Sequence, residues 1–300
     1  MVVIDKVKGS EIEDEALEIK IAPDRSCFVV AMSSGVIRSS TGSDSSGYVR
    51  LWNCFAGTGA KSLIFEWYES AIPCEFNKVS DENPEPNEIL CISLATDDSR
   101  FVTGGTDTVI KVAKTGLKRH CNYHTSRITA LRYHPRGEFD VAYSHIFVSA
   151  SWDNSVQIWD DRNPGSLWYS DLVTLIFRQY YGPHVAGSDG LDVEASQNLI
   201  LTSSWTRSSV LLQGYVAKFG ISGNLVFFTG SNTNILRIID MENMATIAGV
   251  NNLPNAVYSL DTCFDRVDKR KCMDARVNTL MFISRANHEV TRPVMAYISY

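Results

Sequence analysis

Ser149, His124 and Asp153 are the first residues to weigh, because a hydroxyl, an imidazole and a carboxylate in one region can make a nucleophile, its base and the group that orients the base. That constellation would serve ester or amide hydrolysis, so a hydrolase is one reading. Its usual companions are missing from the sequence: there is no Gly-x-Ser-x-Gly elbow, no Gly-rich phosphate loop ending in Lys and no His-Glu-x-x-His helix. The run "HCNYH" opens a second chemistry, since His120, Cys121 and His124 can all bind zinc. A zinc site needs a fourth ligand and groups that orient the first four, and no spacing here supplies them. Neither a metal nor a cofactor is expected.

The elements that carry these residues repeat one grammar: an alternating apolar strand, a polar turn, a strand ending in small hydroxyl residues, a turn with Asp or Thr, and another alternating strand. The copies begin with "ALEIKIAPDRSCFVVAMSS" leading to "GYVRLWN", then "ILCISLATDDSRFVTGGTDTVIKVAK", then "ITALRYHPRGEF" leading to "HIFVSASWDNSVQIWDDR". Two more are "LDVEASQNLILTSSWTRSSVLLQ" and "YVAKFGISGNLVFFTGSNTNILRIID", and "NAVYSLDTC" starts a partial sixth. Long amphipathic helices are absent. The equivalent third-strand positions, Trp52, Ala113, Trp159, Leu212 and Ile239, are 61, 46, 53 and 27 residues apart. The last interval is too short for a unit that must supply four strands, which takes roughly 40 to 45 residues. An outer strand is therefore expected to be missing near Gln213.

The stretch "SASWDNSVQIWDDR" resembles the closing half of a WD-repeat, the blade unit of a β-propeller. The resemblance implies an all-β propeller with about five recognisable blades plus a partial one, short of a seven-bladed ring. The domain would span 1–264, with 265–300 a divergent C-terminal segment forming an incomplete last blade. It also implies a buried network of His124, Ser149, Asp153 and Trp159. In such a network the indole N–H finds an acceptor, the hydroxyl donates onward and the carboxylate holds the imidazole, so the four are structural. Blade two offers Thr103, Asp107 and Ala113 in the same slots, and later units depart further, so the full network is expected once.

The same resemblance places partner-binding residues on the top face: Thr106, Trp152, Trp205 and Asn232 just before the turn Asp or its equivalent, with Arg127 and Thr129 near the start of the third blade's first strand. Aromatic and Arg side chains are the usual anchors of protein interfaces, and against this stands the ordinary packing of a Trp against an adjacent loop. "WDDR", Trp159 to Arg162, resembles the Trp-Asp-x-Arg box of cullin-4 ubiquitin-ligase receptors. Arg162 would then touch the ligase adaptor, whereas a plain surface Arg would pair with a nearby acid.

Bulk properties narrow the partners. A net charge of −6 and a pI near 5.5 give no basic excess for a phosphate backbone. In "DRVDKRKCMDAR" interleaved acids cancel much of the local field, so nucleic acid is not an expected partner. No apolar run approaches the length of a membrane span, and no secretory leader is read at the start. Seven cysteines without a Cys-x-x-Cys pair fit a reducing compartment, the cytoplasm with the nucleus open. The expectation is a non-enzymatic scaffold for proteins or peptides.

Overall fold

The computed structural model describes residues 8–11, 16–21, 28–32, 37–38, 41–43, 48–52, 63–72, 87–97, 99–114, 117–121, 123–162, 183–205, 213–220, 223–231, 235–251, 257–264, 278–284 and 294–299. The first strands are β1 (Lys8–Glu11), β2 (Ala16–Ile21), β3 (Phe28–Met32), β4 (Ile37–Arg38), β5 (Thr41–Ser43), β6 (Tyr48–Trp52) and β7 (Leu63–Tyr68). Then come β8 (Ile89–Leu94), β9 (Arg100–Gly105), β10 (Ile110–Lys114), β11 (Leu117–Cys121), β12 (Ile128–Tyr133), β13 (Ile146–Ser151) and β14 (Val156–Asp160). The remainder are β15 (Leu191–Val193), β16 (Ile200–Thr202), β17 (Gln213–Phe219), β18 (Leu225–Ser231), β19 (Leu236–Asp240), β20 (Ala245–Val250), β21 (Val257–Phe264), β22 (Asn278–Ser284) and β23 (Val294–Ser299). Among the described residues the only helical segments are single 3-10 turns at Pro135–Glu138 and Ser188–Gly190, and none is long and apolar enough to cross a membrane. The fold is all-β, built of small antiparallel sheets.

The chain divides into two compact units. Residues 41–208 hold sheets ordered β5-β6-β7, β11-β10-β9-β8, β12-β13-β14 and β15-β16. Period-two alternation sends successive side chains of one strand into two different cores. On β13, Phe147 joins Cys91, Val102, Ile110, Leu131 and Trp159, while Val148 and Ala150 join Val185, Leu191 and Val193 on the other face. The central strand is thus buried on both sides. Registers repeat between sheets: Phe147 pairs with Trp159 and Ser149 with Gln157, while Phe101 pairs with Ala113 and Thr103 with Lys111.

Residues 1–40 and 209–300 form the second unit, with sheets β2-β3-β4, β17-β18-β19-β20 and β1-β23-β22-β21. Its described core is Val216, Phe227, Leu236, Ile238, Val257 and Leu260. The first repeat is shared between the two units, with β4 paired to β3 and β5 to β6. The segment 265–300 supplies β22 and β23, and β1 completes that sheet by pairing with β23, Lys8 opposite Tyr297. The division drawn at 264/265 therefore falls inside one four-stranded sheet.

The leading strands share a feature invisible in the repeat grammar. Each of β2, β8, β12, β17 and β21 has a register shift within its first four residues. In β12 the shift lies between Ile128 and Ala130, so Ile128 and Leu131, three apart, serve the same core. Thr129 is the extra residue.

Candidate functional site

The β12-β13-β14 sheet gathers His124, Ser149, Asp153 and Trp159 into one chain of hydrogen bonds. Trp159 Nε1 donates to Ser149 Oγ at 2.7 Å, Ser149 Oγ lies 2.7 Å from His124 Nε2, and His124 Nδ1 lies 2.8 Å from Asp153 Oδ2. With the proton on Nδ1 every donor points the same way along the chain. The turn that brings Asp153 round has Asn154 at φ 63°, a left-handed position that Asn tolerates. Asp153 also accepts Thr125 N–H at 3.0 Å and the Ser155 hydroxyl at 2.6 Å. Ser149, His124 and Trp159 are all 0% exposed. The Ser–His–Asp distances are those of a hydrolytic triad, but Ser149 Oγ is closed off and already accepts the indole, so no substrate carbonyl reaches it as placed.

Burial alone would raise the Asp153 carboxyl, yet hydrogen bonds from His124, Ser155 and the Thr125 N–H more than offset it, bringing it from 3.8 to about 2. A carboxyl held low in the folded state contributes stability above its unfolded pKa and loses it as the pH falls through the folded one. The expected contribution is on the order of 2 kcal/mol, lost between about pH 4 and pH 2. Urea unfolding of the wild type and Asp153→Asn should differ most at pH 7 and converge near pH 2. A difference that does not change with pH would refute this.

The neighbouring β8–β11 sheet solves the same problem with different residues. Thr103, Asp107 and Ala113 take the Ser, Asp and Trp slots, but the His role passes to Glu69, just after β7. Thr103 Oγ1 donates to Glu69 Oε1 at 2.5 Å, and Lys111 Nζ reaches Glu69 Oε2 at 3.2 Å and Asp107 Oδ2 at 2.6 Å. Asn87 ties in both acids, accepting Asp107 N–H at 3.2 Å and donating to Glu69 at 3.4 Å. Lys111 sits where Gln157 sits in the other sheet. Sequence reasoning missed Glu69 and Lys111. A lysine between two buried apolar neighbours, "IKV", was the available signal, since a charge there needs a counter-charge.

On the surface, Trp152, His184 and Trp205 form a row, with ring centroids 5.1 Å and 5.9 Å apart. The Arg127 guanidinium lies 4.4 Å over the Trp152 ring. The backbone clamps this row: Trp152 N–H donates to Arg127 O at 3.0 Å, and Trp205 N–H to His184 O at 2.8 Å. Both tryptophans are partly exposed and Arg127 is exposed. His184 was missed because it precedes β15 in an irregular stretch. Thr106 is partly buried, its N–H bound to Glu88 O at 3.1 Å. Thr129 is a correction: it is 3% exposed and its hydroxyl donates to Val185 O at 2.7 Å, because the bulge turns it toward the next sheet. Asn232 lies outside the described residues.

Arg162 has a side chain 60% exposed and grips Asp160, with Nε 2.8 Å from Oδ1 and an Nη 2.5 Å from Oδ2. Beside it, Asp161 is held by Arg100 at 2.8 Å, Tyr133 OH at 3.0 Å and His145 at 2.6 Å. His145, Asp160 and Asp161 bring ligand atoms within 4.8 Å of one another, yet each acid already has a guanidinium. That spends their charge on structure. The side chains of His120 and Cys121, on β11, lie outside the described set.

Residues 116–160 match the family model described as WD domain, G-beta repeat. The matched span includes His124, Ser149, Asp153 and Trp159. No curated protein matches the chain.

Proposed function

We propose that this chain, a WD-repeat protein, is a non-enzymatic scaffold that binds proteins or peptides on the face carrying Arg127, Trp152 and Trp205. The supporting observation is the clamped row of Trp152, His184 and Trp205 beneath an exposed Arg127. Side chains already held by backbone bonds lose little freedom when a partner docks, so more of the contact energy appears as affinity. Burial of Ser149 and His124 supports a structural over a catalytic role for them. We propose a cytoplasmic or nuclear location from seven cysteines that include no Cys-x-x-Cys pair.

The test compares affinity recovery from cell lysate by the wild type and by a Trp152→Ala, Trp205→Ala variant matched for folding by circular dichroism. Specific proteins should drop at least ten-fold with the variant, since interface tryptophans typically contribute 2 kcal/mol or more. An unchanged partner set would remove this face from consideration. A second reading, a cullin-4 ligase receptor, draws support from Arg162 being exposed and held in one orientation by Asp160. Arg162→Ala should then abolish adaptor recovery without unfolding the protein.

A further inference from the structure

We infer that the Arg127–Trp152–His184–Trp205 row recognises a carboxylate in an acidic peptide, a reading that rests on this face being the working surface. Its polar balance points that way. The indole Nε1 atoms of Trp152 and Trp205 are both shielded from solvent and have no hydrogen-bond partner among the described residues. Buried polar groups are normally satisfied, so each unused donor calls for an acceptor. Arg127 adds a positive charge, and among the described residues no carboxylate lies within ion-pair distance of it. The acid next to Trp152 in sequence, Asp153, is committed to His124, Thr125 and Ser155. The other ring in the row, His184, is engaged at Nδ1 with Asn154 Oδ1 at 3.2 Å, and burial lowers its pKa.

Among the described residues the patch thus offers one guanidinium and two neutral N–H donors, with no acid paired to the guanidinium. A single carboxylate matches one cation and can accept several N–H bonds, with charge-assisted bonds the stronger kind. The aromatic faces suit apolar residues beside the acid. Because Arg127 is exposed and lies over the Trp152 ring, it is the part that moves to admit the ligand. The carboxylate is an Asp or Glu side chain within the peptide, where apolar residues on either side of it can meet the aromatic faces.

The experiment titrates the full chain, carrying ¹⁵N-labelled tryptophan, with three probes: acetyl-Gly-Leu-Glu-Leu-Gly-amide, the Gln analogue of that peptide, and the Gln analogue with a free C-terminal carboxylate. Indole resonances are assigned with Trp152→Phe and Trp205→Phe. The Glu probe should move the Trp152 and Trp205 indole protons downfield and bind about ten-fold tighter than the neutral amide. Arg127→Gln should abolish that preference while leaving the remaining spectrum unchanged. Tight binding of the free-carboxylate probe alone overturns the acidic side chain as the ligand. Equal binding of acid and neutral probes overturns the carboxylate inference but leaves the face as a binding surface. No indole shift at millimolar probe overturns it too, and lysate recovery independent of both tryptophans overturns the face itself.

Discussion

Lys111→Met should destabilise the protein by about 3–5 kcal/mol, the loss expected when one partner of a buried ion pair is removed and the other charge stays behind. Here two charges stay behind. Glu69 and Asp107 share the one ammonium, and the three side chains are only 1%, 0% and 5% exposed. Met preserves the length and apolar stem of Lys, so the loss reports the charge rather than the packing. Glu69→Gln placed on Lys111→Met should recover part of the loss, because a neutral amide can still accept the Thr103 hydroxyl. Urea unfolding at pH 7 measures both, and a deficit below about 1 kcal/mol would equate Lys111 with an ordinary surface pair.

Trp159→Ala should cost about 3–5 kcal/mol, the range for deleting a large buried ring. Trp159 is fully buried and stacks on Phe147 at 6.1 Å with planes 8° apart. Trp159→Phe keeps most of that packing and loses the donor to Ser149, so it should cost less, roughly 1–3 kcal/mol. A double-mutant cycle with Ser149→Ala separates the two contributions. Coupling of about 0.5–3 kcal/mol is expected if the 2.7 Å bond carries the Phe variant's loss. Additive losses would assign the whole effect to ring volume.

The sheet that was easiest to read in the sequence is the one whose parts lie close together along the chain. From His124 to Trp159 the strands, the Asp153 turn and the four linked side chains occupy one continuous stretch, within the span that matches the family model. The adjoining sheet has the same registers, but its sequence carries only part of the network's residue pattern. Its missing His is replaced by Glu69, separated from Thr103 by 34 positions, and Ala113 leaves the indole slot empty of any donor. Asp107 could be placed by spacing, but nothing in the spacing identified its counter-charge. The surface row shows the same split. Trp152 and Trp205 were placed by their position before the turns, whereas the ring between them, His184, comes from an irregular segment that contact alone identifies.

Alternation, turn residues and the hydroxyl-Asp-Trp spacing were enough to determine an all-β, repeated architecture and one complete network, because backbone pleating and tight turns act over a few residues. Tertiary structure alone decided that β1 completes the sheet of β21, β22 and β23, that the bulge in β12 turns Thr129 inward, and that Lys111 neutralises Glu69 and Asp107. Each of those depends on groups distant in sequence meeting within a few ångströms. The cost of a buried charge or an unpaired strand edge is set by what stands beside it in space, and a sequence position does not carry that information.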